Sequence, residues 1–201
     1  MQVTFIRHGQ STANAGVPCD DIALIGLTEI GRQQAIKVGK GWADKPSLII
    51  TSPFLRTQQT ASPTIERFPE VQVDIWPIQE FTYLQPARWN GTLSSERMPH
   101  IERFWANADP TYCDGEGAES FADLLRRVEE TLDRLSKLSD DAPVYVFSHG
   151  QFMQAARSLI TDPSLSDQER MRKFWRESKS DEIPNAALLR LRMRDGTWKI
   201  A

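Results

Sequence analysis

Val3-Thr4-Phe5-Ile6-Arg7-His8-Gly9 joins a short β-branched and aromatic run to an arginine, a histidine and a glycine. The run reads as a buried strand, and its abrupt polar end delivers Arg7 and His8 to the strand's carboxyl end. Open α/β sheets bind ligands at that edge. Gly9 lacks a Cβ, which lets backbone N–H groups at the turn approach an anion, and Ser11 or Thr12 is placed to cap a following helix. An arginine beside a histidine in such a pocket points to phosphate chemistry. Pro143-Val144-Tyr145-Val146-Phe147-Ser148-His149-Gly150 repeats the arrangement: a strand that ends in a histidine, with a glycine at the turn.

Between these two turns the chain keeps a strand–helix rhythm. Residues 14–26 carry turn formers and the pair Asp20-Asp21, and read as a loop over the carboxyl edge that shapes a binding site. Thr28 opens a helix in which Ile30, Gln34, Ala35, Val38 and Trp42 recur at helical spacing, with Glu29 in the first turn and an end near Asp44. Residues 46–52 form a second buried strand. Pro53 then starts a helix whose first turn holds Arg56, the position past a strand end that Arg7 and His8 occupy in the first unit. Pro63 is a breaker, although the spacing through Ile65 and Phe68 predicts that this helix continues. Residues 71–76 form a third strand.

Residues 78–118 break the rhythm, with Tyr83, Trp89, Trp105 and Tyr112 interleaved among Arg88, Arg97 and Arg103, and read as an inserted cap. Residues 118–138 form a long amphipathic helix. Phe121, Leu124, Leu125, Val128, Leu132 and Leu135 share one face, while Arg126, Arg127, Glu129 and Glu130 read as a solvated one. Helices are expected over 151–160 and 165–175, and a hairpin of 186–193 with 197–200, turned by Asp195-Gly196, closes a sheet edge. The fold expected is α/β: one domain over 1–201, a three-layer sandwich of a largely parallel sheet with helices on both faces and a small cap over its carboxyl edge.

Composition removes several function classes. With 201 residues, 40% hydrophobic and 25% charged, the chain can bury an ordinary core without disulfides. Its net charge of −3 offers no general attraction for nucleic acid, so a site for an anion must be locally basic. Cys19 and Cys113 lack metal-ligand or redox spacing, and His100 in Met98-Pro99-His100 has no partner at such spacing. No metal or cofactor is therefore expected. The first strand begins at once, and no apolar run is long enough for a membrane span, so a reduced cytoplasmic location without membrane or nucleic-acid partners is expected.

Several further motifs stand in order along the chain. Arg7-His8-Gly9 is followed by Asn14, Leu27-Thr28-Glu29-Ile30-Gly31, Ser52-Pro53 with Arg56 and Thr60-Ala61, Gly117-Ala118-Glu119-Ser120, and Ser148-His149-Gly150. In this set and order the chain resembles the histidine phosphatase superfamily, in its phosphoglycerate mutase-like branch. The resemblance implies that His8 is the nucleophile that becomes phosphohistidine, that Arg7, Arg56 and His149 surround the transferred phosphoryl group, and that Asn14 contacts it. Guanidinium forks match phosphate oxygens, and phosphoryl transfer depends chiefly on positioning and fixed positive charge. Such a nucleophile must be held as one neutral tautomer.

The family's proton donor to the leaving alkoxide aligns with Glu80 in Gln79-Glu80-Phe81, although Phe81-Thr82-Tyr83 departs from the family's commoner acidic and glycine-containing continuation. That role asks for a carboxyl kept protonated by a partly closed pocket. Glu119 is the runner-up, better placed to cap or anchor the long helix, while Asn185 after Pro184 is assigned to loop shape. The expected activity is metal-independent hydrolysis of a small phosphorylated metabolite. Its alternatives are a mutase that returns the group to another hydroxyl and a non-catalytic phosphate-binding regulatory domain. Three scattered arginines in a compact 78–118 segment favour hydrolysis, because a mutase must hold a second phosphate away from water.

Overall fold

The computed structural model describes residues 1–138 and 142–201. In chain order the elements are β1 (Gln2–Arg7), α1 (Glu29–Lys40), β2 (Leu48–Thr51), α2 (Leu55–Arg67), β3 (Gln72–Ile75), α3 (Pro86–Trp89), α4 (Ser94–Asn107) and α5 (Phe121–Ser136). There follow β4 (Val144–Ser148), α6 (Gly150–Thr161), α7 (Asp167–Ser180), β5 (Leu188–Arg194) and β6 (Thr197–Ile200). Among the described residues the strands make one sheet of order β3-β2-β4-β1-β5-β6. The ladders β3–β2, β2–β4 and β4–β1 are parallel, and the terminal hairpin adds β5 and β6 antiparallel at the β1 side.

Alternation along the strands builds two cores. Val3, Phe5, Ile50, Val144 and Val146 face a cluster with α5, α6 and α7, while Ile6, Ile49, Tyr145 and Phe147 face Trp42, Ala61 and their neighbours on the α1 and α2 side. Helices thus cover both faces, which is why the central strands read as continuous apolar runs. The six apolar positions expected to share one face of α5 are all buried. Trp105 is core as well, stacked with Phe174 and Trp175 at ring distances of 5.4 and 5.2 Å.

Several element boundaries differ from the sequence reading, each for a local reason. No helix follows Ser11 or Thr12; the chain turns there, and Ser11 bridges to Leu27. α1 does begin after Thr28, whose hydroxyl accepts from the Gly31 N–H, but it stops at Lys40 because the Gly41 N–H closes onto the Lys37 and Val38 carbonyls. α5 starts at Phe121 rather than Ala118, since Ser120 and Asp123 form a reciprocal capping box. α2 runs through Pro63 to Arg67, as its apolar spacing predicts.

Two glycines hold α1 against the His8 turn. A Cβ on Gly9 would lie 2.5 Å from the Gly31 carbonyl oxygen, and one on Gly31 would strike the Gln10 carbonyl oxygen. The Gly9 N–H is already bonded to Thr60 Oγ1 at 3.0 Å, so this glycine serves packing rather than the anion contact expected of it. Gly31→Ala is expected to destabilise the protein by about 1–3 kcal/mol, the usual cost of overpacking. Helix propensity alone would stabilise it by up to about 1 kcal/mol. The urea midpoint decides the sign, and a raised midpoint would show that the packing is slack.

Candidate active site

The ladders bring β1, β4 and β2 to the same level: Arg7 pairs with Ser148, Thr51 with Phe147, and the His8 N–H donates to the Ser148 carbonyl at 3.0 Å. His8, His149 and Ser52 therefore leave adjacent strand ends side by side. The two imidazoles meet edge to face at 5.1 Å between ring centres, and both are almost fully buried.

The tautomer of His8 is fixed by its partners. His8 Nδ1 lies 2.7 Å from the Gly9 carbonyl, which can only accept, so Nδ1 carries the proton and Nε2 keeps its lone pair. Arg56 Nε donates to that Nε2 at 3.2 Å. Ser52 Oγ accepts from the Phe54 N–H and lies 2.8 Å from His149 Nε2. His149 Nδ1 is a buried atom with no protein partner. His8 thus presents a lone pair and His149 an unpartnered ring nitrogen.

Burial, then the Arg56 guanidinium, push His8 down to about 3 against the pull of the Gly9 carbonyl. His149 is held well below the ordinary histidine range by burial first, then by Arg56 and His8. Both rings are therefore neutral at neutral pH. Between the ordinary value of about 6.5 and their folded values, the unfolded chain binds protons that the native protein refuses, so stability falls as pH drops through that window. The expected slope is roughly 1 kcal/mol per pH unit for each histidine. Tm should fall between pH 7 and 5, less steeply for His8→Gln; the same slope in that variant would mean that His8 is not the titrating group.

The arginines frame the histidines. Arg56 stands in the first turn of α2, donates from Nη1 to the Ile22 carbonyl at 2.8 Å, and lies over the Phe54 ring. Burial brings it down to about 10, with Glu80 acting in the opposite direction, so it stays charged at neutral pH. Arg7 Nη1 donates to Glu182 Oε1 at 2.5 Å and to the Ile183 carbonyl, while its buried Nε has no partner. A Cβ on Gly150 would come within 3.1 Å of that Nε, so the glycine after His149 makes room for Arg7.

Glu80 follows β3 and is half-buried, and its Oε1 accepts from the Phe81 N–H at 3.2 Å and from the Gln151 N–H, at the start of α6, at 3.1 Å. A carboxylate oxygen of Glu80 and one nitrogen from each of His8 and His149 lie within 4.8 Å of one another. Glu119 has both oxygens on Arg127, at 2.8 Å each, and so anchors α5 as expected of it. Arg127 itself corrects the reading of a solvated face. It is largely buried and also donates to the carbonyls of Pro77 and Gln79, which pins the segment that carries Glu80.

Asn14 lies at the exposed rim with its Oδ1 taken by the Ser11 N–H, the Ser11 hydroxyl and Asn185 Nδ2, which leaves its amide nitrogen for any phosphoryl contact. Asn185, assigned to loop shape, also donates from Nδ2 to the His8 carbonyl at 3.1 Å and so braces the His8 backbone. His100 packs its ring on Trp89. The His8, Glu80 and His149 donors are close enough for a metal ion. Burial, helped by the neighbouring guanidinium groups, keeps both imidazoles neutral, and those guanidinium charges make this cluster a better host for an anion than for a cation.

Comparison with known proteins agrees with this geometry. Relatives include a metal-independent phosphoserine phosphatase of Arabidopsis thaliana, 24% identical over 99% of this chain and 79% of that one. Phosphoserine phosphatase 1 of Hydrogenobacter thermophilus is 25% identical over 87% of this chain and 80% of its own. Among solved structures, the α-ribazole phosphatase of Shigella flexneri superposes with a TM-score of 0.78 at 21% identity, covering 100% of this chain and 95% of that one. No helix among the described residues is long and apolar enough to cross a membrane. The sequence model of the histidine phosphatase superfamily (branch 1) matches residues 3–201, and the chain belongs to that family.

Proposed function

We propose that this phosphatase hydrolyses a small phosphomonoester without a metal, through a phosphohistidine on His8. The observation that carries the reading is the fixed tautomer of His8, with Nδ1–H on the Gly9 carbonyl and the Nε2 lone pair among Arg56, His149 and Glu80. Nε2 attacks phosphorus and takes the place of its contact with Arg56, while the bond to the ester oxygen breaks. Arg7, Arg56 and His149 hold the phosphoryl oxygens, the guanidinium groups supplying the positive charge that a metal would otherwise bring. Glu80 acts as the acid and gives its proton to the leaving oxygen. The carboxylate then takes a proton from water, which attacks the phosphohistidine and releases phosphate.

The mutase alternative asks for cations beyond this cluster. Of Arg88, Arg97 and Arg103, only Arg97 lines the cleft next to the site, and its Nη1 is bonded to the Thr92 carbonyl and hydroxyl. Arg88 lies instead 4.0 Å from Asp114. With phosphoglycerate and a bisphosphoglycerate primer in chelator, the enzyme is expected to release phosphate without isomerising the substrate. Isomerisation that outruns release would replace hydrolysis with transfer.

A further inference from the structure

A cleft of about 280 Å³ opens beside Arg56 and Glu80, between residues 13–25 and the 78–118 segment. Val17, Ile22, Phe54, Tyr83, Trp89 and Leu93 give it mainly apolar walls. Val17 and Leu93 are 53% and 49% exposed, so large apolar side chains stand open to solvent at the cleft. The walls are tied together from outside, by the Gly91 N–H on the Cys19 carbonyl at 2.9 Å and Asn90 Nδ2 on the Asp20 carbonyl at 2.7 Å. The cleft is therefore built before any ligand arrives.

Its polar groups have other work. Besides Arg56 and Glu80, the ionisable lining side chains are Cys19, Tyr83 and Arg97. Arg97 bonds to Thr92, Cys19 Sγ donates to the Asp21 carbonyl, and burial holds the Tyr83 phenol in its neutral form. Glu80 is the lone carboxylate lining the cleft among the described residues, and it is the group that the reaction requires. A substrate ammonium would find no other carboxylate there and would meet apolar walls at a desolvation cost.

Resting on the phosphatase reading, we infer that this cleft receives the alcohol portion of the substrate, and that this portion is apolar and carries no ammonium group, with room for one ring on a short chain. The preferred substrate class is then a phosphomonoester of a small apolar or aromatic alcohol, not an amino-acid phosphate.

The test compares ethyl phosphate, 2-phenylethyl phosphate and phosphoserine on the wild-type enzyme in chelator. All three leave as alkoxides, so differences report the remainder of the molecule. The kcat/KM for the phenylethyl ester is expected to exceed the other two by about tenfold or more, and Trp89→Ala should reduce that advantage over ethyl phosphate by about tenfold. Equal values, or a preference for phosphoserine, would overturn the inference. Calorimetry with 2-phenylethylphosphonate and ethylphosphonate reads the cleft without turnover. Tighter binding of the phenylethyl compound supports the inference even if no ester is hydrolysed, a result that would remove the catalytic reading alone, whereas equal affinities overturn it.

Discussion

His8→Ala is expected to lower kcat for every phosphomonoester by at least about 10⁴-fold, because the covalent route disappears with its nucleophile. His149 presents no substitute, since its Nε2 is already engaged with Ser52 Oγ. The guanidinium groups of Arg7 and Arg56 remain, so the variant should still bind inorganic phosphate or vanadate within about tenfold of wild type. Loss of both turnover and anion binding would point to a collapsed site. Undiminished turnover would remove His8 from the chemistry altogether.

Glu80→Gln should separate substrates by their leaving groups. An alkyl alkoxide needs a proton as it departs and should cost the variant on the order of a hundredfold or more in kcat, whereas a nitrophenolate is stable as an anion and should cost it far less. Gln keeps the side-chain oxygen that accepts from the Phe81 and Gln151 N–H groups, so the loop should hold its place. Equal losses on both esters would assign Glu80 to positioning. The Arg127 contacts to Glu119, Pro77 and Gln79 would then be the place to look for what sets this edge.

What the sequence made legible follows from how each residue reaches the site. Arg7, His8 and His149 come directly off parallel strands, and Arg56 off the helix turn after another, so one reading of strand ends gathers them. Arg127 was hidden because helical periodicity sorts a residue only against its own helix, while two of its partners lie 48 and 50 residues away in the chain. Asn185 and Glu182 precede β5, which runs antiparallel to β1. The start of such a strand, rather than its end, lies at the carboxyl edge of its parallel neighbour, and the expected terminal hairpin held that clue. Gly9 and Gly150 were noticed for turn geometry, yet both leave space for a neighbour, Gly31 in one case and the Arg7 guanidinium in the other. Close packing between distant segments leaves no local pattern to read.

The central claim is that the phosphoryl group rests on His8 before water takes it. Rapid acid-avoiding quench of wild-type enzyme turning over a phosphorus-labelled alkyl ester in chelator, followed by peptide mapping, addresses that directly. The account predicts acid-labile, base-stable label on the peptide that carries His8, formed and lost at rates consistent with turnover, and absent from His8→Ala. Turnover in chelator with no label on His8 during the steady state or the burst, under conditions where phosphate release is slow enough to trap it, would contradict the account.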